Sequence, residues 1–329
     1  MTRYSFAANL ESLMLDSLRF VIGAVAKKDF VPSLTHFRIS DGMVRGFNGT
    51  VGLSCPIGIN LSVSPKATPF VKAIQTCKET IQLHVTPAGK LAVKSGAFKA
   101  FVECTPDSSI AVEPEGENVL LNGNLLQVLK RLLPFIAEDA SRPWARGILL
   151  RGNSAYATNN IVVIENWMET PFPVEINIPK MAIVELLRIG EEPERLQISE
   201  NSATFHFSGQ RWMRTQTYAT QWPDLARILD RESSQIPVPA GLWQAIEDLV
   251  PFVDDLGRLY LSPGLIATGQ TDGTGASVEL PDILNPGCFN FAQLRLLQDT
   301  IQTMDFTSYP KPCLFFGDRI RGAIVGMHI

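Results

Sequence analysis

Apolar residues recur along this chain in two periods. From Leu10 to Ala26 they fall at helical spacing, with Leu10, Leu13, Met14, Leu18, Val21, Ile22 and Val25 on one stripe, and the same amphipathic pattern returns over Leu125 to Glu138 and Leu242 to Val253. Each of these predicted helices is followed by a strand, a Gly- or Asn-containing turn and a second strand. The three stretches are Ile39-Ser-Asp-Gly-Met-Val-Arg-Gly-Phe-Asn, Leu150-Arg-Gly-Asn-Ser-Ala-Tyr-Ala-Thr-Asn and Leu261-Ser-Pro-Gly-Leu-Ile-Ala-Thr-Gly-Gln. Gly and Asn suit such turns because they tolerate positive φ. The stretches open at 39, 150 and 261, an identical step of 111 residues that unrelated hairpins have no reason to share.

A second helix is predicted after each hairpin, over Pro65 to Lys78, Pro179 to Ile189 and Asn290 to Met304, the first two opening on Pro-Lys, where proline suits the first turn. Closing strands follow: Ile81 to Val85 with Lys90 to Glu103, Leu196 to Ser199 with Ala203 to Tyr218, and Pro312 to Ile329. Leu132-Leu-Pro-Phe-Ile and Leu249-Val-Pro-Phe-Val place Pro134 and Pro251 at one point of two repeats, where a helix must bend or stop. The pattern predicts an α+β fold of three repeated modules, 1–117, 118–233 and 234–329, with Glu113 to Glu117 and Asp230 to Gln235 as linkers.

Composition narrows the function classes. With 329 residues, 45% of them hydrophobic and 19% charged, the chain can bury a large core. The longest apolar runs, Gly147 to Leu150 and Ile161 to Ile164, fall far short of the roughly 20 residues of a membrane span. Met1-Thr-Arg-Tyr-Ser-Phe lacks a secretory pattern, so a soluble cytoplasmic protein is expected. Cys55, Cys77, Cys104, Cys288 and Cys313 form no Cys-x-x-Cys pair and are odd in number, which predicts reduced, mostly buried thiols. His36, His84, His206 and His328 are isolated and lack ligand spacing, so no metal site is expected.

The net charge of −4 is unevenly spread. Residues 1 to 117 carry 12 Lys and Arg against 10 Asp and Glu, residues 118 to 231 carry 12 against 12, and residues 232 to 329 carry 5 against 11. The ends are therefore +2 and −6, and a broad electrostatic grip on duplex DNA is excluded; a nucleic-acid role must rest on a local basic lining or on topology. Enzyme signatures are missing too. The chain has no phosphate-binding Gly-Lys loop, no dinucleotide fingerprint, no His-Glu-x-x-His and no Gly-x-Ser-x-Gly. Gly269-Gln-Thr-Asp-Gly-Thr-Gly reads as a turn, and Asp254-Asp255 and Glu191-Glu192 as solvated charge, so no catalytic residue and no cofactor is assigned.

In order and size the three modules resemble the bacterial and phage DNA polymerase sliding clamp, the β subunit of the replicative polymerase. Ala137-Glu-Asp-Ala-Ser-Arg-Pro-Trp-Ala-Arg-Gly-Ile-Leu-Leu resembles that family's middle-module stretch, in which an alanine and an acidic residue lead through basic and aromatic residues to a strand. Tyr156-Ala-Thr-Asn-Asn stands where the family has Val-Ala-Thr-Asp-Gly, and Trp222-Pro-Asp-Leu-Ala-Arg-Ile-Leu matches its Phe-Pro-Asp-Tyr-x-Arg-Val-Leu. The resemblance covers nearly the whole chain.

It implies clamp-type modules, with paired helices packed on antiparallel sheets, in a head-to-tail homodimer that encircles double-stranded DNA. The helices would line the hole. On the first helix the free face carries Ser12, Asp16, Arg19, Gly23 and Lys27, and the further DNA-facing candidates are Lys66, Lys72, Lys130, Arg131, Lys180, Arg188 and Arg295, with Arg142, Trp144 and Arg146 in a DNA-proximal loop. A closed ring cannot leave DNA sideways, so sparse phosphate contacts suffice. Head-to-tail pairing would also bring the +2 and −6 ends together.

The resemblance further implies a hydrophobic groove between the second and third modules that takes short linear motifs of DNA polymerase and clamp loader. The matching positions are Thr158, Val163, Pro223, Arg227, Ile228, Ile324 and Met327. Asn159-Asn-Ile-Val-Val163 replaces the family's Asp-Gly-His-Arg-Leu, and Val325-Gly-Met-His-Ile329 replaces Met-Pro-Met-Arg-Leu, which implies a divergent, phage-like clamp with its own polymerase. The competing reading is a clamp-fold ring that serves as a protein adaptor and does not slide on DNA.

Overall fold

The structure is a computed structural model that describes residues 4–6, 8–28, 31–106, 112–121, 123–139, 141–218, 221–270 and 275–328. The first helix, Ala8–Val21, buries Met14, Leu18 and Val21 at one-turn spacing and leaves Ser12, Asp16 and Arg19 in solvent. Leu13, expected on the apolar stripe, is instead 56% exposed. It lies at the stripe's edge, and the inward place goes to Ser17, whose hydroxyl donates to the carbonyls of Leu13 (2.8 Å) and Pro56 (2.6 Å).

All three leading helices end in a single 3-10 turn: Ile22–Ala24 after Ala8–Val21, Leu133–Phe135 after Leu125–Leu132, and Val250–Phe252 after Leu242–Leu249. Pro134 and Pro251 take the middle of that turn, and Gly23 takes it in the first repeat. The bend is thus a property of the module. Glycine in the first repeat has a different setting, since a Cβ at residue 23 would displace the Glu185 carboxylate.

The chain forms two compact units, 1–122 with 181–217, and 123–180 with 218–329. The first holds a four-stranded antiparallel sheet in the order Tyr4–Phe6, Ile81–Val85, Leu91–Ser95, Phe98–Val102. It also holds a seven-stranded sheet in the order Arg38–Ser40, Met43–Phe47, Val51–Pro56, Arg211–Gln216, Ser202–Phe207, Arg195–Ile198, Glu117–Leu120. The second unit holds a six-stranded sheet, Ile236–Pro237, Thr303–Met304, Cys313–Gly317, Ile320–Ile324, Val162–Pro179, Gly147–Thr158. Its other sheet runs Ser277–Glu279, Leu265–Ala267, Arg258–Ser262, Gly287–Asn290.

The two large sheets each join neighbouring repeats by one kind of junction. Val51–Pro56, the strand after the first repeat's hairpin, pairs antiparallel with the second repeat's last strand, Trp212 opposite Ser54. Val162–Pro179, in the same place of the second repeat, pairs with the third repeat's last strand, Arg321 opposite Glu165. Ser54 and Glu165 are each the fourth residue of their strand, and Trp212 and Arg321 each the second, so the register is the same. These shared sheets explain why the compact units cut across the repeats.

Two predicted elements differ. Hairpins form at Asp41-Gly42 (φ 54° and 74°) and at Gly264 (φ 79°), but the second repeat has none at Gly152. Gly147–Thr158 runs on through Gly152 (φ 56°), because its 18-residue partner Val162–Pro179 is long enough to flank both halves, and the turn falls at Asn159-Asn160 instead. In the third repeat the second helix is only Phe291–Arg295 and does not reach Met304. Asp299 adopts φ 60°, and the Gln302 amide donates to the Phe316 carbonyl (2.7 Å), drawing Thr303–Met304 into the sheet. Leu294, Leu297 and Ile301, which fall within the range expected to be helical, are buried all the same.

Cys55, Cys288 and Cys313 are buried, Cys77 and Cys104 half-buried, and all five are free thiols. Burial pushes the Cys313 thiol up to about 12, which makes it a poor nucleophile. Among the described residues no helix is long and apolar enough to cross a membrane.

His206, in Ser202–Phe207, carries a pH dependence. Burial, and secondarily the Arg195 guanidinium, lower its pKa from 6.5 to about 4. The folded state thus holds the neutral imidazole, while the unfolded chain takes up a proton below about pH 6.5. Its contribution to stability is present above that pH and is lost as the pH falls towards 4, by about 3 kcal/mol at most. Urea unfolding of the wild type and of His206→Gln at pH 7 and pH 4.5 should show the smaller pH loss in the variant; equal losses would refute the assignment.

Candidate functional site

One face of the six-stranded sheet carries an apolar patch. Strand register sets Thr158, Val163, Ala323 and Leu314 abreast, and in the next row Tyr156, Glu165, Arg321 and Phe316. Val163, Ala323 and Leu314 form a buried cluster with Leu149, Trp222, Leu225 and Leu229, and Trp144, Tyr156, Ile228 and Phe316 pack against it, partly buried. The indoles of Trp144 and Trp222 meet edge to face with centroids 5.0 Å apart. The Trp222 indole N–H is buried and has no acceptor in reach.

Of the seven groove candidates, the structure brings Val163 and Ile228 into this patch. Thr158 stands beside Val163 and shapes the adjoining turn, donating to the Val162 carbonyl (2.7 Å) and accepting from the Asn160 amide (3.1 Å). Pro223 and Arg227 are exposed on the segment that carries Trp222 and Leu225, with Arg227 3.6 Å from Asp224. Ile324 lies elsewhere. Alternation turns Ile324 to the sheet face opposite Ala323, where it is fully buried. Met327 is tied by its amide to the Cys288 carbonyl and by its carbonyl to the Tyr309 hydroxyl, 2.7 Å each.

Sequence reasoning missed Leu149, Tyr156, Trp222, Leu225, Leu229, Leu314, Phe316 and Ala323. The period-2 spacing of Leu314 and Phe316 and the i, i+3, i+7 spacing of Trp222, Leu225 and Leu229 are legible signals. Which strand faces which segment is not.

Beside the patch Glu165 is 2% exposed and accepts from Ser154 Oγ (2.5 Å), Tyr156 Oη (2.9 Å) and Arg321 Nε (2.5 Å). Burial, aided by Glu165, raises the Tyr156 pKa, so the phenol stays a donor.

The DNA-facing candidates differ in surroundings. In the first unit Lys27 and Lys72 are exposed, Arg19 is exposed 3.7 Å from Asp16, and half-buried Lys66 precedes the helix Ala67–Thr76. Arg188 is committed to structure: it bonds Glu185 (2.5 Å) and caps the first helix through the carbonyls of Phe20 (2.6 Å) and Arg19 (3.2 Å). In the second unit Lys130 and Arg146 are exposed, and Arg142 bonds Asn160 (3.1 Å). Arg131 donates to Asn166 and to the Asp318 carbonyl, 3.2 Å each, beside a polar cavity of about 290 Å³. Arg295 pairs with Glu247 (2.7 Å) and Lys180 with Glu138, whose carboxyl pKa that hydrogen bond lowers. Trp144 belongs to the apolar patch.

No family model matches the sequence, and no curated protein matches it significantly. Solved structures do match over the whole chain. The DNA polymerase III β sliding clamp of Pseudomonas aeruginosa, crystallised with griselimycin, is 17% identical, with 99% of each chain covered and a TM-score of 0.82. The sliding clamp of Bacillus subtilis is 15% identical, with 99% of each covered and a TM-score of 0.83. The β subunit of Streptococcus pyogenes DNA polymerase is 16% identical, with 100% of each covered and a TM-score of 0.82.

Proposed function

We propose that this chain, which has the fold of the bacterial sliding clamps, is itself a DNA sliding clamp: a non-catalytic, cytoplasmic processivity factor of three modules, 1–117, 118–233 and 234–329. Two copies would close head to tail around duplex DNA. The apolar patch would take short segments of the polymerase and the clamp loader, and the exposed Arg19, Lys27, Lys72, Lys130 and Arg146 would make sparse phosphate contacts.

The observation that carries this reading is the repeated strand junction. The first and second repeats each offer the strand after their hairpin to the last strand of the next repeat, in one register. Among the described residues the third such pair is not made. Ser277–Glu279, the third repeat's strand, and Phe98–Val102, the first repeat's last strand, are both sheet edges. Ser277 pairs with Ala267 across the third hairpin as Ser54 pairs with Arg45 and Glu165 with Tyr156, and Lys99 is the second residue of its strand, so continuing the register between two copies sets Lys99 opposite Ser277 and Phe101 opposite Gly275. Phe101 is 54% exposed, apolar surface that such a junction would cover.

The patch has features of a ligand site as well. Trp144 is only partly covered where it packs on buried Trp222, and the orphaned Trp222 N–H, costly by about 1–3 kcal/mol, would reward a ligand carbonyl that reached it.

Ring closure around DNA can be tested without a loader. Lys99→Cys/Ser277→Cys protein, mixed with nicked circular duplex and closed with a short bismaleimide, should give complexes that survive 1 M salt and fall apart when the DNA is linearised. Complete cross-linking with no salt-resistant complex would refute encirclement and favour the adaptor reading.

A further inference from the structure

Arg321 lies at the centre of the second junction yet reaches beyond it. Its Nε donates to Glu165 (2.5 Å), while its Nη1 bonds Asp230 (2.8 Å) and the Leu229 carbonyl (3.3 Å). Leu229 ends the helix Ala226–Leu229, and Asp230 is its C-cap residue. That helix and the residues just before it supply Leu225, Ile228 and Leu229, one wall of the apolar patch.

Four residues are too few to hold a helix by themselves, since nucleation is unfavourable and each terminal carbonyl needs a partner. The Ile228 carbonyl is served by Arg231 (3.1 Å), which also bonds the Pro312 carbonyl (2.7 Å). The Leu229 carbonyl receives the sheet's own arginine. Arg321 is held in turn by buried Glu165, which Ser154 and Tyr156 fix from the neighbouring strand. A chain of hydrogen bonds therefore runs from the sheet through Glu165 and Arg321 to the end of the helix that walls the patch.

We propose that Arg321 is a positioning residue: it pins the helix Ala226–Leu229 against the sheet and so holds the apolar patch ready for an apolar peptide. This rests on reading the patch as a peptide site. Arg321 touches no ligand in this scheme, and its guanidinium fork matters because one arm must reach Glu165 while the other reaches Leu229 and Asp230.

Removing Arg321 alone would leave Glu165 buried without its charge partner and could unfold the protein. The informative series is therefore Glu165→Gln, Glu165→Gln/Arg321→Met and Glu165→Gln/Arg321→Lys, in the full chain. Amide hydrogen exchange of residues 226–230 reads the pin without any ligand, and fluorescence titration with griselimycin reads the patch. Glu165→Gln should move both readouts less than the Met double variant, because its amide oxygen can still accept from Arg321 Nε and the Leu229 bond survives. The Met double variant should exchange about tenfold faster in that segment only and bind about tenfold more weakly, with the Lys variant between them. Unchanged exchange in the Met variant, or equal effects in Glu165→Gln and the Met variant, would overturn the proposal. A wild type that ignores griselimycin would count against the peptide-site reading, and exchange alone would then decide the pin.

Discussion

Replacing Phe101 by aspartate is expected to turn the proposed two-subunit ring into monomers. In the proposed junction Phe101 faces Gly275, so the remaining half of its ring surface is covered, worth about 1–2 kcal/mol. An aspartate there would be desolvated with only Lys99 beside it, and it would face the acidic C-terminal part of the chain, residues 232 to 329, whose net charge is −6. Together these effects cost on the order of 4 kcal/mol per junction. A ring of two copies has two junctions, so the combined cost of about 8 kcal/mol should favour dissociation on the order of 10⁶-fold. Light scattering across a concentration series should give a mass near twice 36.2 kDa for wild type and Phe101→Leu, and near 36.2 kDa for Phe101→Asp. Phe101→Lys should be milder because its charge opposes that of the acidic module. If Phe101→Asp stayed dimeric, the strand register proposed for the closing junction would be wrong.

If the apolar patch takes griselimycin as proposed, Trp144→Ala is expected to weaken that binding by about 10²-fold while the protein stays folded. Trp144 sits half-buried at the edge of the patch, braced edge to face by Trp222, and a braced aromatic anchor of that kind typically contributes 2–3 kcal/mol to a peptide-sized interface. Its truncation should cost only about 1–2 kcal/mol of stability, since the buried layer of Leu149, Val163, Trp222 and Leu225 remains beneath it. Calorimetric titration and a melting curve on the same sample separate the two effects. Unchanged affinity would move the binding site away from this patch.

The same residue shows how tertiary contacts reassign a role. Sequence comparison places Trp144 between Arg142 and Arg146 in a basic loop, which suggests DNA, yet the 3-10 turn Pro143–Arg146 aims the two kinds of side chain apart. Arg146 stays exposed while the indole packs on Trp222. Arg188 is a second case. It reads as a basic helix residue, but its guanidinium closes the end of a helix some 170 positions earlier, a pairing no local pattern reveals.

The sequence by itself determined the threefold repeat, most of the helices and strands, and the paired positions of Pro134 and Pro251, because all of these depend on local periodicity and turn chemistry. It also held the charge split between the ends of the chain. Only the tertiary structure decided what depends on register between distant strands. Gly152 stayed inside a strand because an 18-residue partner runs past it, with the extra residues bulging from that partner, Ile324 faced away from the patch while Ala323 faced into it, and the third repeat's second helix stopped at Arg295 while the sheet claimed Gln302 to Met304. A one-residue step along a strand reverses the face a side chain occupies, and that step is set by hydrogen bonds between strands more than 150 residues apart, such as Glu165 and Arg321.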